Sequence, residues 1–265
     1  MSDSKNPTTE DVFGSAVERQ EDVPLLKGEA QFTDDISLPE MTHLAIRRSD
    51  HAHARIVGID TSSAEAMEDV VAVFTGQDVE DSGVPNAIPT AWDLPNLVQP
   101  QYKMLATDKV RHEGDGVAAV VAESPQVARD ALERIEIEYE QLDHVTEPSE
   151  AVNRDVTPVH AEAEDNVAFD FELGDTEAVD DAFVEADHTA SVDLRLPRII
   201  PNAMETRAAV ADYESTTEEL RIWMTSQNPH LHRMLMSAAT LGIPENRLQV
   251  IAPEVGGGFG SKIYH

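Results

Sequence analysis

Cysteine is absent from the 265 residues, and lysine is scarce, present only at positions 5, 27, 103, 109 and 262. Without cysteine the chain forms no disulfide and offers no thiol nucleophile. It also ligates neither a thiolate zinc nor an iron–sulfur cluster. Long hydrophobic runs are missing as well. The longest uninterrupted stretch, Val117–Ala122, is far short of the ~20 residues a membrane span needs. Residues Met1 to Val12 are polar and acidic, without the basic and apolar blocks of a secretory leader. Apolar residues make up 41% of the chain, so a core is expected, though a spare one.

Positive charge is the third deficit. Nineteen Lys and Arg face 51 Asp and Glu, a net charge of −32. Phosphate neutralisation requires Lys and Arg, so nucleic acid and anionic membrane are excluded as expected partners. The acid is not gathered into a tail; it is spread through segments that carry periodic apolar patterns. Self-repulsion of this size strains a compact fold at low salt. At molar salt the Debye length falls to ~3 Å and the repulsion is screened. The composition therefore reads as that of a halophilic, cytoplasmic protein.

Residues 1–21 read as a disordered or extended start. Strands are expected over Thr42–Ser49, Ala54–Asp60, Val70–Phe74, Gly116–Ala122 and the alternating Ile135–Glu140, with 80–103 as a long loop. Ser62-Ser63-Ala64-Glu65 has capping-box spacing for a short helix. Ser124-Pro125 supplies an N-cap and a first-turn proline for a longer one. Together 22–143 form one α+β unit. The polar, acidic stretch 144–170 reads as a linker to a second unit, 171–265. There the pattern predicts a helix over Asp175–Asp187 with Val179 and Phe183 inward, and strands over 188–196, 206–213 and 219–225. A helix follows from Asn228-Pro229 with Leu231, Leu235, Ala238 and Ala239 buried. The last strand is Arg247–Ala252.

That last strand delivers Gly256-Gly257-Gly258-Phe259-Gly260-Ser261-Lys262, where bare backbone N–H groups allow close approach of a ligand. The order Gly260-Ser261-Lys262-Ile263 is not that of a P-loop. A Rossmann fingerprint fails too, since its sixth position is Ser261. On composition alone a flexible turn is an equal alternative.

The string APEVGGGFGSK resembles the molybdenum-cofactor loop of the molybdenum hydroxylases: aldehyde oxidase, xanthine dehydrogenase and aerobic carbon monoxide dehydrogenase. Five further stretches resemble that family in the same order. They are Leu26–Ile36, Arg48–Ile56 (RSDHAHARI), Val110–Glu123, Asn202–Ala211 and Thr225–His230 (TSQNPH). The resemblance implies an α+β chain: an α/β hammerhead domain at 22–143, then the incomplete start of a molybdenum-cofactor-binding domain at 171–265. It places Gln227 beside the metal's oxo group. Gly256, Gly257, Gly258, Phe259 and Gly260 fall against the cofactor. The implied cofactor is molybdenum-molybdopterin in its cytosine dinucleotide form, with the metal held by dithiolene sulfurs and by no side chain here.

The implied partners are the C-terminal half of the large subunit, an iron–sulfur small subunit and an FAD medium subunit, with a small-molecule substrate. Family large subunits are roughly three times this length, and their general-base glutamate lies beyond residue 265. The chain is therefore expected to be one catalytically incomplete segment of an oxidoreductase. A non-catalytic assembly scaffold, or a remnant without cofactor, is the alternative.

Several residues keep two readings. Gln227 is a metal-side donor or an ordinary strand-end amide. Lys262 is solvated or pairs with a cofactor phosphate. Glu205 is expected to serve buried polar groups, and Phe259 to wedge against cofactor or substrate. His51 and His53 read as strand residues rather than metal ligands, and His230 and His232 as helix-start residues pointing apart.

Overall fold

The computed structural model describes residues 16–88, 94–152, 155–197 and 199–263. Most of the disordered or extended start expected over 1–21 lies outside the described residues. In chain order the first unit comprises α1 (Asp22–Lys27), β1 (His43–Arg48), β2 (Ala54–Asp60), α2 (Ser62–Glu65), β3 (Val70–Thr75) and α3 (Gly76–Asp81). These are followed by β4 (Lys109–Val110), β5 (Gly116–Ala122), α4 (Pro125–Leu132) and β6 (Glu136–Gln141). Then come α5 (Pro148–Ala151), α6 (Thr176–Glu185), β7 (Ala209–Glu214), β8 (Glu219–Met224), α7 (Pro229–Leu235) and β9 (Leu248–Ile251).

Two three-stranded antiparallel sheets build the first unit, in the orders β1-β5-β3 and β4-β2-β6. The apolar run of β5 makes it the central strand of its sheet, buried at every position but Val121. α4 starts where expected: Ser124 Oγ accepts from Val127 N at 3.2 Å, with Pro125 in the first turn. Its buried Ala128 and Ala131 face the sheet, and Ala131 packs with Ala64, Ala118, Val120 and Ile135. Small side chains let helix and sheet approach closely, which suits the spare composition. A second cluster of Ala54, Ala106, Val110 and Val117 joins the two sheets.

The third sheet has the order β7-β8-β9, antiparallel then parallel. Its core is Ile222, Met224 and Leu248, with Met236 and Ile243 packed on it. Two stretches far apart in the chain meet here: Phe32 bridges Glu254, and Glu254 N donates to Gln31 O at 3.1 Å.

Several expectations need correction. Residues 188–196 form no strand among the described residues, and Val179 and Phe183 of α6 face solvent. No residue of α6 is buried, so its apolar periodicity has no partner surface among the described residues. In the helix after Asn228, His232 is buried while Ala238 and Ala239 are exposed. A π-type turn at Met236–Thr240 rotates the last residues away from the expected face. The region expected to be all loop from residue 80 begins inside α3. This helix opens with a capping box: Thr75 Oγ1 accepts from Asp78 N, and Asp78 Oδ2 accepts from Thr75 N at 2.7 Å. Residues 144–170 are not a bare linker. They carry α5, and Asn166 ties them together, accepting from Val159 N at 2.8 Å and donating to Ala151 O at 2.9 Å.

Candidate functional site

β8 and β9 are parallel neighbours, so their C-terminal ends arrive at one sheet edge. Ligands gather at such edges in mixed sheets. From β8 the chain continues through Thr225-Ser226-Gln227, and from β9 into the glycine loop. Thr225 is fully buried, its N–H bonded to Ala208 O and its Oγ1 accepting from Ala208 N. Ser226 Oγ lies 2.7 Å from His232 Nδ1 and accepts from Asn228 N. These contacts fix the backbone on both sides of Gln227. His232 thus anchors the strand end, whereas the neighbouring His230 is exposed.

Gln227 clasps the loop. Its N–H donates to Lys262 O at 3.0 Å, and its Oε1 accepts from Gly260 N at 2.9 Å and Lys262 N at 3.2 Å. The amide lies across Gly258: a Cβ added there would sit 2.4 Å from Gln227 Cδ. The two readings of this glutamine concern different ends of one side chain. The carbonyl oxygen is an ordinary structural acceptor. That orientation leaves Nε2, without a protein acceptor among the described residues, as the end able to donate outward.

The loop presents further donors. The N–H groups of Gly257, Gly258 and Phe259 have no protein acceptor among the described residues, while those on either side, at Gly256 and Gly260, are bonded. Gly257, Phe259 and Gly260 have φ of 100°, 53° and 88°. Left-handed residues of this kind shape backbone into concavities that accept anions. Phe259 is the exception among glycines, and the residue is 71% exposed. The ring lies over Gly257, where an added Cβ would come within 2.7 Å of Cε2.

Beneath the loop runs a buried ion pair that the sequence left open. Lys262 is 2% exposed and neither solvated nor turned outward. Its Nζ donates to Glu205 O at 2.8 Å and lies 3.3 Å from Glu205 Oε2. The same Oε2 accepts from Gly256 N at 2.7 Å, and Glu205 N donates back to Gly256 O. One carboxylate thus ties both ends of the loop, at Gly256 and Lys262. Its other oxygen, Oε1, is buried without a hydrogen-bond partner. Arg207 adds a tie to Ser261 O at 2.6 Å. The roles of Arg207 and Gln31 are not legible in the sequence, since each meets a backbone group far away in the chain.

His51 and His53 precede β2 rather than alternating on a strand. His53 is buried with Nδ1 2.8 Å from Asp143 O, and His51 packs on Tyr139. No cluster of three His, Asp or Glu with metal-ligand geometry occurs among the described residues. No helix among them is long and apolar enough to cross a membrane.

A separate cleft of about 1030 Å³ lies between the first unit and residues 193–197. Its Lys103, Arg111 and Arg195 are each paired with a carboxylate, of Glu80, Asp108 and Glu147. Partial burial, and then the Arg111 charge, hold the His160 imidazole below its usual range. The cleft has no free Lys or Arg charge for an anion, in contrast to the unpaired N–H groups of the glycine loop.

Residues 27–143 match the family described as aldehyde oxidase and xanthine dehydrogenase, a/b hammerhead domain, and residues 159–265 the molybdopterin cofactor-binding domain. The nicotine 6-hydroxylase large subunit of Paenarthrobacter nicotinovorans is 39% identical over 97% of this chain and 31% of its own. The carbon monoxide dehydrogenase large chain of Afipia carboxidovorans is 34% identical over 95% of this chain and 32% of its own. A crystal structure of Cu,Mo-CO dehydrogenase in its carbon monoxide reduced state superposes with a TM-score of 0.87 at 34% identity, covering 95% of this chain and 32% of that one. The chain thus spans about a third of the length of the curated relatives it matches.

Proposed function

Because the chain belongs to the molybdenum hydroxylase family of aldehyde oxidase and xanthine dehydrogenase, we propose that it is the N-terminal segment of a large subunit. In this reading it contributes one wall of a molybdopterin site. Residues 22–143 are the hammerhead domain and 171–265 the first part of the cofactor-binding domain. The observation that carries the reading is the run of three unbonded N–H groups beside the outward Nε2 of Gln227, all at one sheet edge. An anionic, oxygen-rich group fits this donor set, and no basic side chain is needed to hold it.

When bound, molybdenum-molybdopterin, here in its cytosine dinucleotide form, supplies two-electron oxidation of a small molecule. The chain's own residues bind and orient. Gly257, Gly258 and Phe259 donate from the backbone, and Gln227 donates from Nε2 without adding charge beside an anion. Glu205 and Lys262 hold the loop from below. Phe259 gives the site an apolar side. An iron–sulfur small subunit and an FAD medium subunit carry the electrons away. The assembly works in the cytoplasm of a halophilic cell.

Metal analysis tests the proposal. The chain is co-purified with a polypeptide covering the remaining two thirds of the family length. Molybdenum is expected in the complex, and its absence from a well-folded complex would favour the scaffold reading. Gln227→Glu separates the two ends of the side chain: the carboxylate still accepts from Gly260 and Lys262 but donates nothing. Retained loop protection in hydrogen exchange with turnover reduced on the order of 10²-fold is the expected result.

A further inference from the structure

From Phe169 to Asn202 every described residue is exposed, yet the stretch is rich in large apolar side chains. Val192, Leu194 and Leu196 are 76%, 81% and 92% exposed, and they alternate with Asp193 and Arg195. A period of two is the mark of a strand with one buried face. The segment nevertheless makes no ladder with β7, the free edge of its own unit, or with any other described strand.

Its polar side is already engaged: Arg195 pairs with Glu147 at 2.8 Å. Just upstream, α6 turns Val179 and Phe183 to solvent, beside a shallow apolar groove shared with Ala178, Ala182 and Ala190. An exposed apolar surface of this extent marks an interaction site.

We propose that residues 190–197 and the outer face of α6 form one docking surface. Its occupant is the polypeptide corresponding to the remaining two thirds of the large subunit, which adds a strand along 190–197. This rests on the functional reading above. Two observations favour that occupant. The relatives run about three times the length matched here. The conformation found here also superposes on a 32% part of a longer solved chain, in which the rest of that polypeptide accompanies it. A second copy of this chain is disfavoured by charge. Asp175, Glu177, Asp180, Asp181 and Glu185 would meet their own equivalents across the contact, on a protein of net charge −32.

The test uses the whole 265-residue chain in molar potassium chloride. The probe is the nicotine 6-hydroxylase large subunit of Paenarthrobacter nicotinovorans lacking its N-terminal third. Binding is expected, with the amides of residues 190–197 becoming protected from hydrogen exchange. Val192→Glu with Leu194→Glu should leave the melting temperature of the isolated chain unchanged, because neither side chain packs in it. The same variant should weaken binding on the order of 30-fold or more.

No binding, or binding unaffected by the double substitution, overturns the proposal. So does a homodimer that the double substitution dissolves. Molybdenum content is read separately. Protection of 190–197 in a complex that holds no metal leaves the docking surface standing and refutes the cofactor reading instead.

Discussion

Replacing Lys262 by Met removes one half of the ion pair beneath the glycine loop. Glu205 then keeps a buried carboxylate with one N–H donor, from Gly256, while its Oε1 already lacks a partner. Breaking such a pair from one side destabilises by about 3–5 kcal/mol, because the remaining charge stays buried. At about 2–4 °C per kcal/mol for a chain of this size, the melting temperature should fall by roughly 6–20 °C. Removing both charges with Glu205→Gln and Lys262→Met should recover much of that loss, since no uncompensated charge is left. Thermal melts of the wild type, the two single variants and the double variant close a thermodynamic cycle.

Running the cycle at low and at molar potassium chloride adds a control. Exposed pairs fade with salt, whereas a buried one is screened much less. A Lys262→Met shift below about 2 °C, or one that vanishes at molar salt, would refute the clamp. Strict additivity of the two single variants would refute it as well.

Gly258→Val should displace the Gln227 amide, whose Cδ lies 2.4 Å from the position of the new Cβ, and expose the Gly260 and Lys262 amides to fast exchange. Unchanged exchange at both would contradict the packing. Limited proteolysis should cut first within 169–202, which has no buried residue, ahead of the tied segment 144–170; early cleavage at Pro148–Ala151 would reverse that order. Thermal stability should rise with potassium chloride up to molar concentration, and a highest melting temperature at the lowest salt would remove the halophilic reading.

His160 has a folded pKa held below 6.5, so the unfolded chain binds the extra proton first. Its contribution is present in full above 6.5 and is lost as pH falls through the lower folded value. His160→Gln should flatten that part of the stability–pH curve, and an unchanged slope would show that the histidine does not report on the cleft.

Local chemistry was legible wherever it is written in adjacent residues. Ser124-Pro125 announces α4, and the run 116–122 announces a buried strand. The glycines after β9 announce a backbone that something approaches. The parallel pairing of β8 with β9 is what brings Gln227 to those glycines, and no local pattern encodes it. Lys262 shows the limit most clearly. A lysine beside a glycine loop carries the same letters whether it meets solvent, a phosphate or Glu205; only the path of the chain before β7 decides. Period-two patterning misled at 188–196 for a related reason. It reports a face that must be buried, not the chain that buries it.

The contact between Phe32 and Glu254 has a consequence for the order of events in folding. Gln31 and Phe32 are made early, whereas Glu254 is made about 220 residues later. Their pairing therefore closes a loop nearly as long as the chain. Closing such a loop is entropically unfavourable until local contacts have shortened it. The antiparallel sheets around β5 can assemble as the chain grows, but the backbone leading into Gly256 gains its last support only after β9 has joined β8. The glycine loop is thus set after the first unit. A ligand arriving during synthesis would meet a finished first unit and an unformed loop.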